Sequence, residues 1–382
     1  MPALSVPVDD AVSVDEVRQL AQLVMRPEVS DFIGGGAGHE VTLDANRAAF
    51  DRLWVTPQVL TDSSGRSPAT TLLGGEASFP AAAAPMAYQA LVHPDGEIAA
   101  ARAAKEAGIP FTTGTLSSEP LEAVAAAAGD LWFQLYWLRD RRATFDLIRC
   151  AEDAGCKALM FTVDVPWMGR RLRDVRNAFT LPATVTAANL AGGAASAPDA
   201  PSRAHRRTAD RGSAVAAHTE IAFEPALTWR NLEELRSATT LPLVIKGVLA
   251  PSDAARSAAC GADAIVVSNH GGRQLDGAVP SIEALPGVRS AVGDRVQVLL
   301  DSGVRRGTDV LKALALGADG VLIGRPLLWG LALGGQQGVQ KVLDLLAAEF
   351  RDALGLAGCS RPADVRHLHV ATAASARDRG PW

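Results

Sequence analysis

Eight short apolar runs, most of them separated by one amphipathic segment of helix length, predict an α/β fold: a closed (β/α)8, or TIM, barrel. Two further regularities point the same way. Several helical segments end in glycine just before the next apolar run, as helix C-termini do. Most runs close on a polar residue, the position where barrels of this kind place their chemistry.

Taken in order, strand one is expected at 81–85 and its helix at 96–108. Strand two follows at 110–114 with a helix at 119–129, and strand three at 131–136 with a helix at 142–155. Strand four is expected at 158–164 and strand five at 243–247, the latter followed by a helix at 252–261. Strands six, seven and eight are expected at 264–269, 296–301 and 320–324, with a helix at 308–317 before the last. Residues 1–75 precede the repeat and read as an N-terminal helical cap, with helices near 14–25 and through 31–50. The barrel proper is expected over 76–360. Between strands four and five, 181–225 is rich in Ala, Gly, Ser and Arg and poor in large apolar residues, which predicts a long flexible excursion beside the active face. Residues 361–382 carry few core signals and are expected to be an exposed tail.

Composition narrows the function classes. The chain has 382 residues, 48% hydrophobic and 21% charged, as expected of a soluble globular protein with a large core. Its 37 basic and 42 acidic residues leave a net charge of −5, so no basic excess is present to neutralise nucleic-acid phosphates. The charge-free stretch 77–94 is broken by Pro80, Pro85, Gln89 and His93 and falls short of the ~20 apolar residues of a membrane span. MPALSVPVDD lacks the pattern of a secretory signal. Cys150, Cys156, Cys260 and Cys359 match no zinc spacing and read as reduced thiols. No metal motif is present either, so the expectation is a cytoplasmic protein with neither metal nor membrane partner.

The polar strand ends supply the candidate site. Strand three ends in Gln134 and Tyr136, strand four in Thr162 and Asp164, and strand five in Lys246. Strand six ends in Ser268-Asn269-His270, strand seven in Asp301 and strand eight in Gly324-Arg325. His270 stands apart from His39, His93, His205, His218, His367 and His369 because it follows an apolar strand and precedes GGRQLD. Glycines there let the backbone turn sharply, and Arg273 lies within one turn. A neutral imidazole beside a guanidinium can take a proton while the cation holds an anion, which suits proton or hydride removal next to a carboxylate. Asp164 can hold the imidazolium. One of Arg170 and Arg171 is expected to point inward to a carboxylate or phosphate. Lys246, on a buried strand end, either faces a negative cofactor or is a Schiff-base nucleophile. The loop from Asp301 through Gly303, Arg305 and Arg306, with the turn at Gly324 and Arg325, occupies the usual phosphate-binding corner of such barrels. Gly34-Gly35-Gly36-Ala37-Gly38 has no strand before it and is not a dinucleotide fingerprint.

SNHGGRQLDG at 268–277, TVDVPWMGRRLRDVRN at 162–177 and DSGVRRGTDVLKALALGA at 301–318 together resemble the FMN-dependent L-2-hydroxy acid oxidase and dehydrogenase family, over about 32–330. DFIGGGAG at 31–38, QLYWLRD at 134–140 and GRRLRDVRN at 169–177 are most similar to its actinobacterial 4-hydroxymandelate oxidase branch. The resemblance implies FMN as cofactor, a 2-hydroxy acid as substrate, oxygen or another electron acceptor, and a homotetramer. It implies His270 as base with Asp164 as its partner, and Arg171 and Arg273 as carboxylate ligands. Tyr136 would bond the reacting end of the substrate, and Lys246 would sit at the flavin N1–C2=O edge. Ala84, Pro85, Met86, Ala87, Gln134, Thr162 and Ser268 would contact the ring system. Asp301 would bind the ribityl chain, with Gly303, Arg305, Gly324 and Arg325 around the phosphate. Ala87 stands where lactate monooxygenases of this family have glycine, which favours simple oxidation over oxidative decarboxylation.

Three departures from the family pattern matter. Phe32 replaces a tyrosine that contacts the substrate carboxylate, removing a bond worth about 1–3 kcal/mol and adding apolar surface, which favours an aryl acid over lactate or glycolate. Gly114 replaces a flavin-contacting serine, so that either Thr113 or Thr115 substitutes or the contact is lost. The excursion lacks the apolar membrane-binding stretch of the mandelate dehydrogenases, which implies a soluble enzyme.

Overall fold

The structure is a computed structural model that describes residues 8–190 and 214–372. Twelve strands are present among these residues: β1 (Leu53–Thr56), β2 (Thr70–Leu72), β3 (Gly75–Ala77), β4 (Ala81–Ala83), β5 (Phe111–Gly114), β6 (Leu131–Leu135), β7 (Ala158–Thr162), β8 (Leu243–Val248), β9 (Ala264–Val267), β10 (Gln297–Leu300), β11 (Gly320–Ile323) and β12 (His369–Thr372). Strands β4 to β11 are parallel and close into one barrel, β11 pairing with β4. These are the eight strands expected, with bounds that differ by one or two residues; most stop short of the polar end, while β5 starts one residue later and β8 runs one residue further. The helices Gly96–Glu106, Leu121–Ala127, Arg141–Asp153, Pro251–Ala259 and Gly307–Ala315 fall where the periodicity puts them.

Both faces of the barrel strands are buried, so the strands read as continuous apolar runs. The faces nevertheless separate by alternation. Leu159, Phe161, Ile245, Ile265, Val267, Val298 and Leu300 pack outward under the helices. Ala82, Trp132, Met160, Val244, Val266, Leu299 and Leu322 fill the interior. A side-chain period of two carries that inward phase one step further along each strand. Trp132 is followed by Gln134, Met160 by Thr162, Val244 by Lys246, Val266 by Ser268, Leu299 by Asp301 and Leu322 by Gly324. The apolar interior layer thus dictates which strand-end residues face the barrel mouth.

The segment before the barrel serves both of its ends. The β2–β3 hairpin puts fully buried Leu72 into the interior cluster at the starts of β10 and β11, where Leu73 N–H donates to Gln297. Helices Val14–Val24, Pro27–Gly34 and Val41–Asp51 supply the rest. The single helix expected over 31–50 is two helices. The break is built by glycine: a Cβ on Gly36 would lie 2.8 Å from the Gly272 carbonyl oxygen. That close approach lets Ala37 N–H donate to Gly272 and Gly38 N–H to Arg170, both at 2.8 Å, stitching the cap to two loops of the barrel mouth.

Two other expectations are revised. Of the tail placed at 361–382 as exposed, the part up to Thr372 is packed: Val365 is fully buried, and β12 pairs antiparallel with β1. Residues 373–382 lie outside the described residues. Of the excursion 181–225, residues 191–213 also lie outside them. Its flanks are ordered by large apolar side chains, Leu181 and Val185 on one side and Val215 and Phe223 on the other, all buried. Among the described residues no helix is long and apolar enough to cross a membrane.

Candidate active site

One cavity opens at the carboxyl ends of the barrel strands. Its wall includes Phe32, Ala84, Pro85, Met86, Ala87, Gln134, Tyr136, Thr162, Arg171, Lys246, His270, Arg273, Asp301, Gly303, Arg305, Gly324 and Arg325. Nearly all the sequence-predicted residues therefore meet in one place. Asp164 stands behind His270 rather than on the wall.

Asp164 and His270 form a dyad, Nδ1 to Oδ1 at 3.0 Å. The space for it comes from an irregularity in β8: the strand shifts register between Lys246 and Val248, with Gly247 at φ 107°. A Cβ there would lie 2.5 Å from Asp164 Cγ, so only glycine admits the carboxylate. Burial works against the Asp164 charge, but His270, and behind it Lys246, hold its carboxyl below the usual carboxylate range. A carboxylate can only accept, so His270 Nδ1 carries the proton. Burial is also the largest influence on the imidazole; it and Lys246 outweigh Asp164 and leave the His270 pKa below the ordinary 6.5. His270 is thus a neutral base at pH 7 with its Nε2 lone pair available. Its φ of 58° is strained for a non-glycine residue and is held by its N–H donating to Ser268 Oγ at 3.0 Å.

Lys246 Nζ lies 3.0 Å from Asp301 Oδ2 and donates to Ser268 Oγ at 3.1 Å. Burial opposes its charge, but Asp301 and Asp164 raise its pKa above the ordinary 10.5. A Schiff-base nucleophile requires the free amine, so a lysine held charged in this way favours the reading in which Lys246 faces a negative cofactor. Ser268 is fully buried and absent from the cavity wall. Its oxygen accepts from Lys246 and from His270 N–H, so it positions these two groups and keeps its own O–H to donate.

The same wall also carries a cluster of arginines. Of the pair Arg170 and Arg171, Arg171 turns inward and Arg170 is exposed. Arg171 is 8% exposed, and its pKa is pushed down to about 9 by burial and then by Arg273. Its carboxylate neighbour, Asp174, is 3.9 Å away and 1% exposed, and neither Asp174 oxygen has a hydrogen-bond partner among the described residues. Burial pushes the Asp174 carboxyl up, and at 3.9 Å it makes no hydrogen bond to Arg171. Arg273 donates to the Phe32, Ile33 and Gly35 carbonyls at 2.8–3.2 Å. Both guanidinium groups face the Phe32 ring, at 5.7 and 5.3 Å, and that ring stacks on Phe179 at 4.4 Å. Tyr136 stacks on Phe223 at 4.3 Å, and burial holds its phenol un-ionised.

At the far end Arg305 lies 4.9 Å over the Trp329 ring, its pKa pushed down to about 10 by burial and Arg47. The Arg325 guanidinium is spent on the carbonyls of Ile33, Gly35 and Gly271 at 2.9–3.0 Å. What Arg325 offers the cavity is its place at the start of the helix Arg325–Leu356, whose Gly324 cap has no side chain to satisfy the first amides.

These features suit FMN. Helix amides and the half-buried cation Arg305 at one end match a phosphate, while Ala84, Pro85, Met86 and Ala87 beside Gln134, Thr162 and Lys246 match a flat ring with a polar edge. The serine missing at Gly114 has a local reason: a Cβ there would lie 2.6 Å from Gln134 Oε1. Neither threonine replaces it. Thr115 Oγ1 donates to the Gln134 carbonyl and accepts from Tyr136 N–H, while Thr113 is off the wall. Sequence reasoning missed the apolar half of the wall: Tyr88, Leu91, Val92, Leu116, Val165, Met168, Val215 and Phe223. Loop residues of ordinary type carry no motif, and only their convergence reveals them.

Comparison with known proteins agrees with this geometry. The chain is 54% identical over 359 residues to a 4-hydroxymandelate oxidase of Amycolatopsis orientalis, covering 94% of this chain and 98% of that one. It is 46% identical over 371 residues to an L-lactate oxidase of Nostoc sp., covering 96% and 98%. A crystal structure of a mandelate oxidase with (S)-4-hydroxymandelic acid superposes with a TM-score of 0.90 at 53% identity, covering 95% and 99%. Residues 21–372 match the FMN-dependent dehydrogenase family. The chain belongs to that family of FMN-dependent dehydrogenases.

Proposed function

We propose that this protein binds FMN and oxidises an (S)-2-hydroxy acid with an aryl side chain, mandelate or 4-hydroxymandelate, to the 2-keto acid, with oxygen as electron acceptor. The observation that carries the reading is the neutral His270–Asp164 dyad sharing one cavity with a pair of incompletely compensated arginines, Arg171 and Arg273. Arg171 and Arg273 bind the carboxylate and so fix the α-carbon, which removes most of the orientational freedom of the reacting bond. His270 Nε2 takes a proton from the H–C–OH unit, and Asp164 stabilises the imidazolium that results. FMN, when bound, accepts the two electrons and the second hydrogen and passes them to oxygen. Tyr136, kept protonated, donates a hydrogen bond at the reacting end. Lys246, kept charged by Asp301, places a fixed positive charge beside the ring edge. Pro85, Met86, Ala87, Gln134 and Thr162 would hold the ring, and Gly303, Arg305 and the Gly324–Arg325 amides the phosphate.

Three supports favour an aryl acid. Phe32 leaves no hydroxyl on the carboxylate side, the remaining wall is rich in Leu, Val, Met and aromatic side chains, and the most similar relatives named above act on mandelates. The test is anaerobic mixing of the yellow holoenzyme with (S)-mandelate while oxidised-flavin absorbance is followed. Rapid bleaching, reversed by air, is expected, and His270→Ala should retain FMN but bleach at least about 10⁴-fold more slowly. Bleaching by lactate or glycolate alone would overturn the aryl assignment, and substantial reduction in His270→Ala would remove the base.

A further inference from the structure

Tyr88 is a cavity residue to which the proposed reaction assigns no task. It follows the Ala84–Ala87 segment and shares its part of the wall with Leu91, Val92 and Leu116. It is 2% exposed, and its hydroxyl has no hydrogen-bond partner among the described residues. A phenol oxygen cut off from water and left unpaired costs about 1–3 kcal/mol, which is why buried tyrosines normally reach a partner. Phenylalanine would fill the same space without that penalty.

The backbone at Tyr88 is also held in an unfavourable state, φ 55° and ψ 49°, the left-handed region that bulky side chains avoid. Local bonds enforce it. Tyr88 N–H donates to the Leu116 carbonyl at 3.0 Å, and the Tyr88 carbonyl accepts from Leu91 N–H at 3.0 Å. Glu97, fully buried, accepts from Gln89 N–H at 3.1 Å and from Ser118 N–H at 2.9 Å, tying the loop after β4 to the loop after β5. An orphan hydroxyl and a strained backbone on one residue mark a side chain aimed at something other than protein.

Barrel order says where it is aimed. β4 and β5, whose loops carry Tyr88 and Leu116, lie across the barrel from β8 and β9, whose end carries His270 and Arg273. A substrate with its carboxylate on Arg171 and Arg273 would have Tyr88 on the far wall of the cavity. We infer that Tyr88 is a specificity residue, its hydroxyl forming a hydrogen bond with a hydroxyl at the far end of an aromatic side chain, so that the preferred substrate is a ring-hydroxylated aryl 2-hydroxy acid. This rests on the aryl reading above and sharpens it. A site that hydrogen-bonds a substrate hydroxyl discriminates strongly against the analogue lacking it.

The test is Tyr88→Phe, which keeps the ring and deletes the oxygen. The ratio of kcat/KM for (S)-4-hydroxymandelate to that for (S)-mandelate should fall about tenfold or more from its value in the unsubstituted enzyme. Dissociation constants of the two keto acid products, read from the flavin spectrum without turnover, should move in the same ratio. A variant with retained FMN and melting temperature whose two ratios stay within twofold of the original would overturn the inference. The underlying reading fails differently: the unsubstituted enzyme would then oxidise neither aryl acid, and the role of Tyr88 would fall with it.

Discussion

At the barrel mouth His270, Asp164, Lys246 and Asp301 form two pairs at 3.0 Å, a carboxylate against a basic group in each. Around the same cavity Arg171 and Arg325 are buried and Arg273 and Arg305 half-buried, and their partners are mainly backbone carbonyls, aromatic faces and one distant carboxylate. Protonation follows this division. Among the paired groups, Asp164 and Lys246 are driven further into their charged forms. Burial pushes all four arginine pKa values down, and neighbouring arginines add to it at Arg171, Arg305 and Arg325. In the first group each basic side chain has a carboxylate partner before any ligand arrives, which suits the proton transfer proposed above. The second carries positive charge with few carboxylate partners, which suits the proposed binding of a carboxylate near Arg171 and Arg273 and of a phosphate near Arg305 and the helix start at Arg325.

The comparison breaks most severely in the paired group. Asp164→Asn removes the acceptor that fixes the His270 tautomer, and the anaerobic flavin-reduction rate should fall about 10³- to 10⁴-fold with FMN retained. The pH profile carries the sign. The base is active when neutral and its pKa lies below 6.5, so kcat/KM holds near pH 7 and falls as pH drops through that pKa. Asp164 raises the His270 pKa, so its loss should move this acid limb to lower pH. A limb that does not move would separate the profile from His270.

A smaller effect is expected among the arginines. Arg171→Met should lower kcat/KM by about 10²- to 10³-fold, corresponding to loss of a buried charge-assisted contact of 2–5 kcal/mol. The distinguishing readout is thermal. Benzoylformate should raise the melting temperature of the original protein, because a ligand that binds only the folded state stabilises it, and should raise that of the variant much less. Equal increases would mean that Arg171 does not receive the carboxylate.

The smallest effect sharpens specificity. Phe32→Tyr adds a hydroxyl beside the two guanidinium groups, and the kcat/KM ratio of lactate to mandelate should rise several-fold, up to about tenfold. No change in that ratio would detach Phe32 from the aryl preference.

Most of the paired group was legible in the sequence. His270, Asp164, Lys246 and Asp301 each end an apolar run, and strand geometry converts that position into a place at the barrel mouth. Periodicity could not say which of Arg170 and Arg171 turns inward, because both follow the strand in a loop with no period to assign a face; only the family resemblance singled out Arg171. The bonds accepted by the Ser268 hydroxyl, the carbonyl-bound guanidinium of Arg325 and the split of the cap helix at Gly35–Gly36 were hidden because each depends on a partner far away in the chain, such as Gly272 for Gly36. Tyr88 sat in plain view beside the expected ring contacts, yet nothing local reveals that its hydroxyl is unpaired. Short-range periodicity and residue chemistry suffice for the barrel, its strand ends and the candidate acid–base pair. Which arginines go uncompensated and which tyrosine lacks a partner emerge on folding, because burial and pairing are properties of what distant segments bring together.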